Sequence, residues 1–383
     1  MSRTEGMSVR TALGGTALAV LVIATSGCSS WFGPDRPTPK PLEPIAAPIG
    51  VQQVWRQSIG KADFPQALAV RGDSVTVAAS DGTVLAVEAQ SGRVLWRVGV
   101  GSALSAGVGS DGTTAAVVTR GGELVAMAGG AVKWRKPLGV RVSTPPLVAG
   151  ERIFVLAVDR TVQAFDGATG ARLWQYQRPG DPLALSQTGV VVAFKNTLVV
   201  GQGPRMVGLD PATAAPRWDV AVGAPRGANE IERLADLVGP PVRSSDLLCV
   251  RSFQAAVGCV DAERGTVRWT KTVGGTEAVG GDGALIFGAD GSDRLSAWRT
   301  ESGDVAWSSE ALRFRSVSAP AAVSGSVVFG DRDGTLHWFS REKGESQSRT
   351  ATDGSPVLVQ PVAVGGTLIV LTRSGGLFAF RPN

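Results

Sequence analysis

The chain has 383 residues, 43% of them hydrophobic and 19% charged, which suits one large all-β domain or two smaller domains with sizeable cores. Fifty glycines signal many turns, while a single His excludes a multi-histidine metal site. The formal charge is +5, and no run of Lys and Arg or aromatic–basic stripe points to nucleic acid.

Taken in chain order, residues 12–24 form an apolar stretch preceded by Arg3 and Arg10, too short to span a bilayer comfortably and fitting a signal-peptide core. Translation can start at Met1 or at Met7. The stretch ends Ala24-Thr25-Ser26-Gly27-Cys28. Small residues directly before a cysteine resemble the lipobox of bacterial lipoproteins, with Thr25 where Leu is usual. The resemblance implies that residues 1–27 are removed, that Cys28 becomes the acylated amino terminus, and that Ser29 favours the outer membrane. The alternative is ordinary cleavage that leaves an exposed thiol in an oxidising compartment. Several acyl chains anchor stably where one is marginal.

Residues 28–50 carry six prolines, Pro34, Pro37, Pro39, Pro41, Pro44 and Pro48. Such a segment forms neither helix nor interior strand, so it reads as an extended, semi-stiff tether that stands the folded domain, 51–383, off the membrane.

From there on a motif repeats. Glu88-Ala89-Gln90-Ser91-Gly92-Arg93-Val94-Leu95-Trp96 returns as Asp166-Gly167-Ala168-Thr169-Gly170-Ala171-Arg172-Leu173-Trp174 and as Asp261-Ala262-Glu263-Arg264-Gly265-Thr266-Val267-Arg268-Trp269. A further copy runs from Arg299 through Gly303 to Trp307, and degenerate copies end at Trp134 and Trp218. Another has Gly344 but Ser348 where Trp belongs. With Trp55, the equivalent positions are 55, 96, 134, 174, 218, 269, 307 and 348, spaced 38 to 51 residues apart. Eight units of about forty residues are the period of a four-stranded propeller blade.

The runs between motifs, such as 153–158 and 367–371, are β-rich. Several are followed by Asp81-Gly82, Gly121-Gly122, Asp333-Gly334 or Gly375-Gly376, which suit tight hairpins. Near-continuous apolar runs fit strands buried on both sides between blades. Within the motif, Asp and Thr cap turn backbone, the glycine permits a left-handed turn, and the tryptophan offers about 200 Å2 of apolar surface to the next blade. The last repeat stops near Phe380, where its motif would begin, and the first begins on a lone tryptophan strand. Residues 51–58 are therefore expected to form the outer strand of the blade built by 349–383, closing an eight-bladed all-β propeller.

Few residues suggest chemistry. His337 reads as a strand residue, and Gly280-Gly281-Asp282-Gly283 as a turn rather than a phosphate loop, because no helix follows. Cys249 and Cys259 lack metal-type spacing. They fall at equal distances from a hairpin centre near Gln254, so the two readings are a disulfide and two buried thiols.

The repeat motif resembles the tryptophan-docking turn of quinoprotein (PQQ-like) propellers. Within that superfamily the whole chain is similar to the BamB lipoproteins, subunits of the outer-membrane β-barrel assembly machinery. The resemblance is sharpest at Glu230-Ile231-Glu232-Arg233-Leu234-Ala235-Asp236, in the longest interval of the repeat, and extends to Pro182-Leu183-Ala184-Leu185-Ser186. Ser186 stands where that family usually has Arg, and Val238 where a second acid is common.

The resemblance implies a non-catalytic scaffold, without metal or cofactor, that binds the POTRA domains of BamA and aids insertion of barrel proteins. It implies partner contacts from Leu183, Leu185, Ser186, Glu230, Ile231, Arg233, Leu234 and Asp236, and contact with unfolded outer-membrane protein precursors. Arg233 and Asp236 could instead pair with each other to hold the loop. Quinone-dependent propellers carry a vicinal cysteine pair that this chain lacks. The alternative function is a periplasmic lipoprotein binding peptidoglycan or polysaccharide, which calls for exposed aromatic residues around the central funnel.

Overall fold

Tight glycine hairpins and paired apolar runs set the blade. In blade 1, Ala69–Arg71, Ser74–Ala78, Thr83–Glu88 and Val94–Gly99 pair antiparallel in that order from the inside outward. The second and third strands are buried on both sides, while the outer strand alternates between covered and exposed residues. That division explains why the inner runs are nearly continuous in apolar residues. The computed structural model describes residues 37–45, 48–178 and 184–383. The expected signal peptide, Cys28 and Leu183 lie outside the described residues.

Blade 2 spans 109–137, blade 3 147–176, blade 4 191–221, blade 5 237–271, blade 6 280–309 and blade 7 321–351. Blade 8 takes Val362–Val364, Thr367–Leu371 and Gly376–Pro382 from the end of the chain and Val51–Ser58 from its beginning. Val51 pairs with Pro382 and Ser58 with Gly376, which closes the ring as the sequence predicts. Residues 349–351, assigned to this blade from the repeat, instead complete the outer strand of blade 7. Gly280 and Gly281, read as a turn, form the inner strand of blade 6, where a Cβ at Gly280 would stand 2.1 Å from the Pro320 carbonyl oxygen. The turn follows at Gly283, whose φ is +95°.

Each seam between neighbouring blades has its own apolar core. The core between blades 1 and 2 gathers Ala78, Val84, Val117 and Met127, and that between blades 8 and 1 gathers Val77, Leu85, Ile369 and Ala379. Over these cores the tryptophans dock. Trp55 donates its Nε1–H to the Ala89 carbonyl, Trp134 to Gly167, Trp174 to Pro211, Trp269 to Thr300 and Trp307 to Arg341, at 2.6–3.0 Å. The motif glycine is needed twice. At Gly265 φ is +66°, and a Cβ there would meet Trp218 at 2.3 Å. The turn is held from within: Asp166 Oδ1 accepts from the Thr169 amide and hydroxyl, and Asp261 Oδ1 from the amides of Glu263 and Arg264.

The seam between blades 7 and 8 departs from this pattern. Ser348 lies directly across from Trp338, which is fully buried there with Phe378 and Phe380. The turn that a tryptophan at 348 would cover does not exist, because the two chain ends meet there: the Asn383 amide donates to the Gly50 carbonyl at 2.9 Å. Ile49 and Val51 pack against this core. Of the segment expected to stand off as a tether, the described residues 37–45 form neither helix nor strand, and 39–45 lie on the propeller. The Lys40 amide donates to the Arg313 carbonyl at 2.9 Å, and Leu42 packs against the core between blades 6 and 7.

Cys249 and Cys259 oppose each other on the second and third strands of blade 5, with Cα atoms 4.0 Å apart and the sulfurs bonded. Both are fully buried beside Trp269 and Trp298. Arg251, on the same strand as Cys249, is also fully buried. It donates to the carbonyls of Glu277, Gly274 and Ala289, across the seam to blade 6. Burial pulls it down to about 10, so it remains a cation at neutral pH.

Trp269→Ala removes a docked indole and its bond to Thr300, and is expected to destabilise the domain by about 3–5 kcal/mol in urea unfolding. Ser348→Ala, at the same position of blade 7, should stay within roughly 1 kcal/mol of the native chain. Replacing Cys249 and Cys259 together by Ala should cost about 2–3 kcal/mol by the same measurement, since the loop that they close is short.

Candidate partner-docking site

Strands alternate in direction, so the loops joining one blade to the next share a face with the turns between second and third strands. This is called the upper face here. Both sequence-predicted loops lie on it. The link between blades 3 and 4 covers 177–190, and the link between blades 4 and 5 covers 222–236. They run side by side, with the Gly239 amide bonded to the Thr188 carbonyl at 3.0 Å.

Within the longer link, 229–233 form one helical turn that caps itself. Asn229 Oδ1 accepts from the Glu232 amide at 2.9 Å, and the Glu232 carboxylate reaches back to the Ala228 amide at 2.7 Å. This reciprocal arrangement satisfies donors that a single turn leaves open. Gly227 makes it possible, since a Cβ there would meet Glu232 at 2.2 Å. The turn points Glu230, Ile231 and Arg233 outward. Ile231 is 74% exposed, more than any other large apolar side chain among the described residues. Leu234 is half-buried and Ala235 buried, so they root the turn. A cavity of about 130 Å3 opens beneath it, lined by Arg160, Pro225, Glu230, Arg233 and Asp236.

Asp236 faces inward. Its Oδ1 accepts from Arg160 at 3.1 Å and its Oδ2 from the Leu185 amide at 2.9 Å. The side chains of Arg160 and Asp236 are only 17% and 15% exposed. The pairing of Arg233 with Asp236 weighed from the sequence is therefore replaced by Arg160 with Asp236. Arg233 and Glu230 form no ion pair among the described residues. One carboxylate thus ties together a turn of blade 3, the 184–186 backbone and the root of the 229–233 turn. Leu185 is half-buried and Ser186 exposed beside it. Val238 is buried against Ala278 and Ala319 and adds nothing to the outer surface.

Sequence reasoning did not single out Arg160. A signal existed: Asp159-Arg160 occupies the tight turn where blades 1 and 7 have Asp-Gly. Arg160 there takes a φ of +67°, which a non-glycine residue rarely adopts.

The other candidates resolve as architecture. His337 is buried in the third strand of blade 7, with Nε2 2.9 Å from Asp331. Arg315 bonds the same carboxylate at 3.2 Å. The central funnel is a cavity of about 690 Å3 lined by polar groups that include Gln66, Gln187, Glu277 and Gln360. Burial pushes the Glu277 carboxyl up. Phe64 is the one aromatic among the described lining residues, so the stacking platforms that a saccharide site calls for are not assembled there. Among the described residues, no three of His, Cys, Asp and Glu come together as a metal site.

A family model described as "Outer membrane protein assembly factor BamB" matches residues 52–104, 80–309 and 275–383. The chain is 35% identical over 371 residues to the protein of that description from Burkholderia pseudomallei, covering 96% of this chain and 97% of that one. It is 32% identical over 374 residues to its counterpart from Bordetella pertussis, with the same coverage. Among solved structures, BamB from Moraxella catarrhalis superposes with a TM-score of 0.77 at 22% identity, over 87% of this chain and all of that one. A quinohemoprotein alcohol dehydrogenase from Comamonas testosteroni shares the fold, with a TM-score of 0.65 at 14% identity, over 86% of this chain and 76% of that one.

Asp236→Ala leaves Arg160 and the Leu185 amide without their acceptor. It is expected to cost about 1–3 kcal/mol in urea unfolding and to speed hydrogen exchange at Leu185. Arg233→Ala should change stability by less than about 0.5 kcal/mol.

Proposed function

Because the chain belongs to the BamB family of outer membrane protein assembly factors, we propose that it is a non-catalytic scaffold of the β-barrel assembly machinery, anchored through acylated Cys28 and docked on the POTRA domains of BamA. Ile231 carries this reading. A large apolar side chain held 74% exposed on a self-capped turn has no packing role in its own fold, and it has the form of an interface anchor. Glu230 and Arg233 flank it with charges of opposite sign that form no ion pair among the described residues, which suits the polar rim of a docking patch. Leu185 and Ser186 extend the patch, and Leu183 adjoins it in sequence.

In this reading Asp236 and Arg160 act from beneath, fixing the two loops in one relative position so that little ordering remains to be done on binding. Leu234 serves as the root of the turn. Lipid attachment at Cys28 holds the protein at the periplasmic side of the outer membrane. Unfolded precursors would meet a propeller whose outer strands carry cations such as Arg97, Arg135 and Arg268. Charges of this kind blunt open strand edges, so any strand addition would be confined to few blades.

The test is capture of the same organism's BamA POTRA domains by the native chain. Ile231→Asp should weaken capture at least about tenfold, or roughly 1.4 kcal/mol, with thermal stability unchanged. Asp236→Ala should weaken it less and only through the misplaced 184–186 backbone. Undiminished binding by Ile231→Asp would move the interface elsewhere, and no binding by the native chain would refute the partner.

A further inference from the structure

We propose that the upper face is the surface this propeller turns toward the membrane, and that residues 39–45 are the strap that fixes it. The inference rests on the acylation of Cys28 proposed above. It starts from the seam between blades 7 and 8, which alone lacks a docked tryptophan.

Outer strands elsewhere are open: those of blades 1 and 4 alternate between exposed and half-covered residues. The outer strand of blade 7, Ser346–Ala351, has one exposed residue in six. Glu43 lies close enough to Arg349, on that strand, to act on its charge. Leu42 packs into the core between blades 6 and 7, and Ile49 into the core between blades 7 and 8. Strand pairing does not explain the coverage, because Pro39, Pro41 and Pro44 offer no amide donors.

The strap has a direction. Gly50 meets Asn383 at the lower end of blade 8, where the last strand finishes. Lys40 is held at the upper end. Its amide bonds to the Arg313 carbonyl, and its own carbonyl accepts from Arg315 at 3.3 Å. Arg315 is in turn held by Asp331 and Asp333 in the upper turn of blade 7. Lys40 is therefore held at the face that carries 184–186 and 229–233, and Gly50 at the opposite face.

Two numbers follow. From Val51, the chain back to Cys28 could reach about 80 Å when fully extended. From Lys40 it reaches only about 40 Å. A folded domain of around eighty residues is roughly 30 Å across. The strap thus leaves depth for one small domain between the upper face and the bilayer, and the partner on that face must be membrane-proximal.

The experiment uses the full acylated chain bound to phosphatidylethanolamine–phosphatidylglycerol vesicles that contain an acceptor-labelled lipid. A donor dye is placed through Lys61→Cys on the upper face of blade 1, or through Asp73→Cys on its lower face. The expected result is about twofold more transfer from position 61, given a blade height of several residues at about 3.3 Å each. Lys40→Pro with Leu42→Asn removes the amide donor and the apolar plug without touching a blade, and should abolish the difference. Equal transfer from both positions in the native chain, or a difference that persists in the strap variant, would overturn the proposal. A native chain that fails to float with vesicles would instead refute the anchor on which it rests. Hydrogen exchange at the Lys40 amide reads the strap by itself: slow exchange is expected, and exchange at the rate of a free peptide would refute it.

Discussion

The contact on which the molecule depends is an indole laid over a glycine turn of the next blade. A single four-stranded blade cannot bury both faces of its inner strands. It needs a neighbour, and the neighbour must sit at a set distance and angle. The tryptophan supplies apolar area, while its Nε1–H selects one carbonyl, so register as well as attraction is specified. The cost of this device is carried by the turn, which must hold a positive φ and lack a Cβ at the same residue. Asp166 and Asp261 then stabilise from within a turn that would otherwise have little to hold it.

That coupling made the architecture legible. A dock that needs glycine and tryptophan at fixed separation leaves a pattern that survives degenerate copies, and the lone Trp55 strand at the start pointed to closure by both ends. The cysteines were legible for a similar reason, being placed symmetrically about a hairpin. What could not be read were contacts between distant parts of the chain. Asp236 and Arg160 lie 76 residues apart, and nothing local at Asp236 says that it faces inward. The nearby Arg233 looked like its natural partner, but the capped turn carries that side chain outward. The prolines of 39–44 suggest extended chain, yet extension says nothing about whether a surface lies alongside. Leu42 and Ile49 were the only hints that one does.

Rigidity and recognition are separated in this fold. Blades meet through buried area, and the upper-face links are left to vary in length. The longest of them spends its extra residues on a turn that satisfies its own backbone, so an exposed Ile231 does not loosen the body beneath. The buried histidine, through its Nε2, and Arg251 answer to internal partners or backbone carbonyls.

Ring closure by both ends also sets an order of events during synthesis. The strand at 51–58 emerges first and cannot find its whole partner until residue 382 has followed, with 317 residues between Ser58 and Gly376. At synthesis rates of about 5–20 residues per second this is roughly 15–60 s. Throughout that time the leading segment is an unpaired strand, and every seam but the two that flank blade 8 can already be sealed. A chain cut short by even one strand would remain an open arc with two unsatisfied edges, so completeness is checked by geometry at the final step.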